Sequence, residues 1–263
     1  MNPPLFRPEP GAVALVTGAG KRIGRVIAIA LAQAGWRVAV HYGRSHDEAR
    51  RTVADIEAAG GTAHAFSCDL ADEAAVARLA GEVAAHFGRL DAVVNNASLF
   101  EYDDAASFSG DMLRAHLGPN LVAPIVLARD LAAQLRARGE EARGVVVNLL
   151  DQKLWNYNPD FLSYSLTKAA MEAANTMLAQ ALAPTVRVVG VAPGLTLPSH
   201  LQSEEDFART HQLSPLGKAS DPRAVADAVL FAAGNPSITG TTILVDGGQH
   251  LVGFARDFSL MKG

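Results

Sequence analysis

The chain has 263 residues, of which 49% are hydrophobic and 19% charged, and a formal net charge of −4. This is a core-forming composition that excludes a disordered or collagen-like chain, and the mildly acidic balance argues against nucleic acid, whose usual footprint is a basic face. Cys68 is the only cysteine, which excludes an intrachain disulfide and a cysteine zinc site. Residues 1–11 are proline-rich and carry no apolar h-region, so they read as an N-terminal extension rather than a signal peptide. No apolar run approaches the ~18 residues a membrane span needs. The expectation is a soluble, cytoplasmic protein with no membrane partner.

In chain order, short Val/Ala/Ile/Leu-rich runs are predicted as strands at 12–17, 37–42, 62–67, 91–95, 144–150, 186–192 and 241–245. They lack strict alternation, as strands buried on both faces do. Between them lie helical patterns. In the first, Ile23, Ile27, Ala30, Leu31 and Ala34 form one stripe that stops at Gly35. The others span 46–59, 72–87, 111–138, 162–182 and 222–233. Strand–helix alternation predicts one α/β domain over 12–263, a doubly wound, seven-stranded parallel sheet with helices on both faces. Residues 195–220 read as a flap with a short helix near 204–210.

The first predicted strand runs into Thr17-Gly18-Ala19-Gly20-Lys21-Arg22-Ile23-Gly24 and then a helix. Gly18, Gly20 and Gly24 would let backbone approach a pyrophosphate, and the helix start offers amides and a positive dipole end. A tight strand–helix connection is the plainer alternative, but the position at the first junction favours a dinucleotide. The second strand ends His41-Tyr42-Gly43-Arg44-Ser45, without the acid that usually holds a ribose 2′-hydroxyl. Arg44, with Ser45 and Arg22 in reach, suits a 2′-phosphate, so NADPH is favoured over NADH. Arg44 as an ordinary solvated loop residue is the competing reading.

Tyr164 and Lys168 are four apart in a predicted helix and share a face. A nearby ammonium is expected to lower the tyrosine pKa from its usual value near 10. Asp151 follows the fifth strand, where doubly wound sheets bind ligands. An ionised aspartate only accepts hydrogen bonds; to act as an acid its pKa must be raised by burial. The eight histidines are scattered, with no pair spaced to hold a catalytic metal, and no Gly-x-Ser-x-Gly elbow marks a hydrolase. No metal is expected.

Together, the turn at 17–24, Asn95-Asn96-Ala97, Tyr164-Ser165-Leu166-Thr167-Lys168 and Pro193-Gly194 resemble the short-chain dehydrogenase/reductase family over about residues 12–251. Its fold is the Rossmann type. Four features narrow the resemblance to the pteridine reductase branch: Arg22 in place of the usual glycine, the His-Tyr-x-Arg-Ser strand end, Ser98-Leu99-Phe100 after Asn95-Asn96-Ala97, and Asp151 where the family has a serine. Gly43, the acidic run Glu101-Tyr102-Asp103-Asp104 and the flap depart from that branch.

The resemblance implies NADPH-dependent hydride transfer to the C=N bond of a pterin, dihydropterin or dihydrofolate. Tyr164 would give the proton, supported by Asp151 and Lys168, and Lys168 would hold the nicotinamide ribose. Asn120 would hold a water linking the lysine to solvent. Ile23, His41, Asn96 and Ala97 would line the cofactor cleft, Asp69 and Leu70 would flank the adenine, and Pro193, Gly194, Leu195 and Thr196 would border the nicotinamide. Phe100 would stack on the flat substrate, with Ser98 and Arg22 in reach of it. The family's long helices imply a homotetramer, with residues 246–263 covering a neighbour's site. The competing readings are a carbonyl or quinone reductase of the same family and a non-catalytic NADPH sensor, which retention of both Tyr164 and Lys168 disfavours.

Overall fold

The computed structural model describes residues 8–199 and 202–261; part of the N-terminal extension, His200 and Leu201 in the flap, and the last two residues lie outside them. The strands are β1 (Val13–Val16), β2 (Arg37–Tyr42), β3 (Thr62–Ser67), β4 (Ala92–Asn95), β5 (Gly144–Leu149), β6 (Val186–Pro193) and β7 (Thr241–Val245). The helices are α1 (Arg22–Gln33), α2 (His46–Ala58), α3 (Glu73–Phe87), α4 (Gly110–Leu117), α5 (Ala123–Arg138), α6 (Leu162–Leu182), α7 (Glu204–His211) and α8 (Pro222–Gly234). All strands are parallel, in the order β3-β2-β1-β4-β5-β6-β7. This is the doubly wound sheet expected from the alternation of patterns.

The pleat sorts the core. Val13 and Leu15 of β1 pack beneath α3, α5 and α6, against Leu79, Leu127, Leu131 and Ala179. Ala14 and Val16 point the other way, toward Ile27 of α1, Ile56 of α2 and Val229 of α8. Both faces are covered, which is why the strands read as unbroken apolar runs. Each fully buried aliphatic side chain contributes roughly 1.5–3 kcal/mol.

The register aligns the strand ends. Val16 pairs with Val94, Asn95 with Asn148, Leu149 with Val191, and Pro193 with Val245. The strand order reverses between β1 and β4, which opens the crevice where such sheets bind ligands.

One expectation needs correction. The pattern at 111–138 is not one helix: α4 and α5 are separated by a π turn at Gly118–Val122. Pro119 has no amide to donate, so the ladder widens there and the Ala123 amide reaches back to the Gly118 carbonyl. The chain after β7 turns back over the cleft of its own chain, where Asp257, Phe258 and Ser259 line the wall.

Candidate active site

A cleft of about 780 Å³ runs along the strand ends, from Gly18 to Asp257. Its cofactor-facing half is built from backbone. Gly18 adopts φ +63°, and its amide donates to His41 Nδ1 at 3.1 Å. His41 Nε2 in turn donates to the Cys68 carbonyl at 3.0 Å. The imidazole is therefore a buried, neutral strut between the turn and the end of β3, and burial pulls its pKa down to about 4. It holds the turn from behind and does not line the cleft.

Gly24 has no room for a side chain: a Cβ there would lie 2.3 Å from the Gly18 carbonyl oxygen. Asn96 fills the neighbouring space and donates to the Thr17 carbonyl at 2.9 Å. Thr17 Oγ1 accepts the amides of Asn96 at 2.9 Å and Ala97 at 3.0 Å, locking the exit of β4 to the turn. At the start of α1, Lys21 makes no side-chain cap and the first turn holds no acid. By contrast α3 and α8 are capped by Asp72 and Asp221. Uncapped amides above close-packed glycines fit a pyrophosphate. Arg22 adopts φ +53°, a conformation that explains why glycine is common at this position, and donates to the Pro198 carbonyl at 3.0 Å. Gly20 packs against the Ser45 carbonyl and the Ala49 amide, which brings Ser45 beside the turn, next to an exposed Arg44.

The substrate-facing half is built from side chains. Tyr164 donates to Asp151 Oδ2 at 2.8 Å. Burial raises the Asp151 pKa, the direction a proton donor requires. The expected lowering of the Tyr164 pKa is not found: burial first, and then Asp151, push the phenol well above its usual range. Lys168 Nζ donates to the Leu149 carbonyl at 2.6 Å, and burial pulls its own pKa down to about 8.

Phe100 stacks on Phe161 (4.1 Å between ring centres, 15° between planes) and meets Tyr164 edge-on at 4.7 Å. One face of the ring sequence reasoning assigned to substrate is thus taken by a neighbour. Ser98 Oγ donates to Asn120 Oδ1 at 3.1 Å. Asn120 also accepts the Leu99 amide and donates to the Leu99 carbonyl and to Thr167. Its side chain is a buried clamp between the cleft rim and α6.

Leu195 and Thr196 line the cleft with Pro193 and Gly194. The Leu195 amide donates to Gln249, and a Cβ on Gly194 would strike the same side chain. Asp69 and Leu70 lie beyond the exit of β3, outside this cleft; Asp69 accepts the Ala71 amide.

Sequence reasoning missed three supporting residues. Asp103 caps α6 by accepting the Ser163 amide at 2.9 Å and the Ser163 hydroxyl. Phe161, fully buried at φ +56°, sets the entry of α6. Lys153 is buried beside Asp151. The acidic run 101–104 was the one visible signal; its partner lies 60 residues away.

Among the described residues no cluster could hold a metal ion, and no helix is long and apolar enough to cross a membrane. A glycine turn beneath an uncapped helix and a group of Asp151 with buried Tyr164 and Lys168 at the strand ends define a nucleotide-dependent reductase site. The short chain dehydrogenase family model matches residues 12–208, and the chain belongs to that family of oxidoreductases. Among solved structures, it is similar to the FolM alternative dihydrofolate reductase 1 of Brucella canis complexed with NADP (40% identity, 92% of this chain and 94% of that one, TM-score 0.87). A short chain dehydrogenase from Burkholderia cenocepacia J2315, also in complex with NADP, is 32% identical over 91% of this chain and 98% of its own, with TM-score 0.82. Among curated relatives, the granaticin polyketide synthase putative ketoacyl reductase 2 of Streptomyces violaceoruber is 32% identical over 91% of this chain and 96% of its own.

Proposed function

We propose that the protein is an NADPH-dependent reductase of the pteridine reductase type, acting on the C=N bond of a dihydropterin or dihydrofolate. The observation that carries this reading is the 2.8 Å hydrogen bond between Tyr164 and a half-buried Asp151. NADPH, when bound, supplies the hydride. The turn at 17–24 holds its pyrophosphate, Arg44 and Ser45 its 2′-phosphate, Lys168 its nicotinamide ribose, and Asn96, Ala97 and Gly194–Thr196 its nicotinamide end.

Reduction of C=N needs one proton on nitrogen. Tyr164 Oη gives it, and Asp151 returns a proton to Tyr164 through the bond already in place. A protonated carboxyl is required, and burial of Asp151 favours that form. Phe100 and Tyr164 form the aromatic wall for a flat heterocycle, and offset stacking suits such a ring. The NADP-bound FolM neighbour supports the same reading.

A carbonyl or ketoacyl reductase is the second reading, favoured by the name of the ketoacyl reductase relative. Asp151 counts against it, because this chain carries a carboxyl where the family's carbonyl reductases have a serine. The assembly fitting this reading is a homotetramer; Leu166 and Met177 of α6 are exposed and apolar, and sedimentation as a monomer at micromolar concentration would refute it.

The test is NADPH oxidation with a dihydropterin and dihydrofolate, beside ketones, quinones and a β-ketoacyl thioester, for wild type and Asp151→Ser. Pterin turnover that falls about 100-fold or more in Asp151→Ser is expected. Carbonyl turnover that survives or rises with serine would overturn the pterin reading.

A further inference from the structure

The C-terminal segment is fastened to the turn that follows β5. Lys153 is 3% exposed, and its Nζ lies 3.1 Å from Asp257 Oδ2. The same ammonium donates to the Asp160 carbonyl and sits over the Phe161 ring, 5.4 Å from its centre. The Asp160 carboxylate, 2% exposed, accepts Arg256 Nε on both oxygens, at 2.8 and 3.1 Å. It also accepts the Asp257 amide at 2.7 Å. Asn156 donates to the Val252 carbonyl. These contacts place Asp257, Phe258 and Ser259 in the cleft wall shared by Asp151, Tyr164 and Phe100.

A surface ion pair would carry little energy, but the side chains of Lys153 and Asp257 are only 4% and 17% exposed. Breaking a buried pair leaves one charge without compensation, so the geometry is strongly held. Lys153 is also part of the Asp151 turn: Asp151 Oδ1 accepts the Lys153 amide at 2.9 Å. One lysine therefore stands between two carboxyl groups, the catalytic one and one brought from 104 residues away.

We propose that Asp257 is a positioning residue for the reaction: Lys153 seats it at the substrate end of the cleft, where its negative charge acts on the Asp151–Tyr164 pair and the chain's own C-terminal segment closes the site. This rests on the reading of Asp151 as the proton source. A second negative charge nearby disfavours ionisation of Asp151 and keeps its proton available. The charges facing Asp151 are Tyr164 and Lys168 from α6, Lys153 from its own turn, and Asp257 from the C-terminal segment. Asp160 and Arg256 neutralise each other. The Asp257 charge adds to burial in raising both Asp151 and Tyr164, while Lys153 works in the opposite sense on Asp151.

The test is an infrared pH titration of the protonated Asp151 carboxyl, assigned by its loss in Asp151→Asn, which needs no substrate. Asp257→Asn keeps the oxygen that caps Ser259 and removes the charge together with the oxygen that accepts from Lys153. It is expected to move the titration down by about one pH unit, whereas Asp257→Glu restores it. Lys153→Met is expected to move it up and to increase hydrogen exchange over residues 252–260. An Asp257→Asn titration matching wild type would overturn the proposal, as would unchanged exchange in Lys153→Met. The alkaline limb of kcat should follow the Asp257→Asn titration on whichever substrate the wild type reduces. Failure on pterins alone would sink the proposed substrate and leave the Asp257 result readable.

Discussion

The two ends of the cleft are built by opposite means. The cofactor-facing end is a single local device: eight consecutive residues, Thr17 to Gly24, make a turn whose binding surface is backbone. The substrate-facing end gathers Phe100, Asp151, Tyr164 and Asp257 from four distant segments, and its chemistry is entirely in side chains. The first end should therefore be intolerant of added bulk and less sensitive to the loss of any one side chain. The second should be tolerant of backbone adjustment and sensitive to single functional groups.

The largest expected effect separates the two ends. Tyr164→Phe removes the hydroxyl proposed as proton donor, and kcat should fall about 10²–10⁴-fold while NADPH affinity, read by fluorescence titration, stays near wild type. An equal loss in NADPH affinity would show that the ends are not independent.

The next prediction concerns the strut behind the turn. His41 is neutral when folded, with its pKa lowered from 6.5 to about 4. The unfolded chain binds the extra proton between those values, so stability is full above pH 6.5 and is lost as pH falls through 4. The difference amounts to about 3 kcal/mol, measurable by denaturant unfolding at pH 7 and pH 4. His41→Gln should flatten that dependence.

Gly24→Ala places a methyl group against the Gly18 carbonyl. Overpacking of this kind costs about 1–3 kcal/mol, so NADPH binding should weaken about tenfold or more, with kcat at saturating cofactor nearly unchanged. A large fall in saturated kcat would mean that the turn also shapes the substrate end.

The smallest effect sharpens cofactor choice. Arg44 is exposed, so Arg44→Ala should lower the preference for NADPH over NADH by only about tenfold, one charge-assisted hydrogen bond's worth. KM ratios for the two cofactors measure this directly.

Much of the molecule was readable before folding because its signals are local. The sheet's apolar runs, the stripe of α1 and the spacing of Tyr164 and Lys168 depend on residues within one or two turns of each other. The break between α4 and α5 was less readable. The apolar period continues through it, and Pro119 signals a kink without saying that the helix widens into a π turn.

What the sequence determined by itself was the doubly wound sheet, the glycine turn and Asp151, Tyr164 and Lys168 as the candidates that the fold brings together, because strand burial, backbone approach and helical spacing are properties of short segments. Tertiary structure alone decided that His41 is a neutral strut, that Asn120 clamps Ser98 and Leu99, and that Tyr164 is made a weaker acid rather than a stronger one. It also decided that Lys153 and Asp257 meet. Those outcomes depend on burial and on contacts between distant segments, and desolvation is a property of the packed chain that no local pattern encodes.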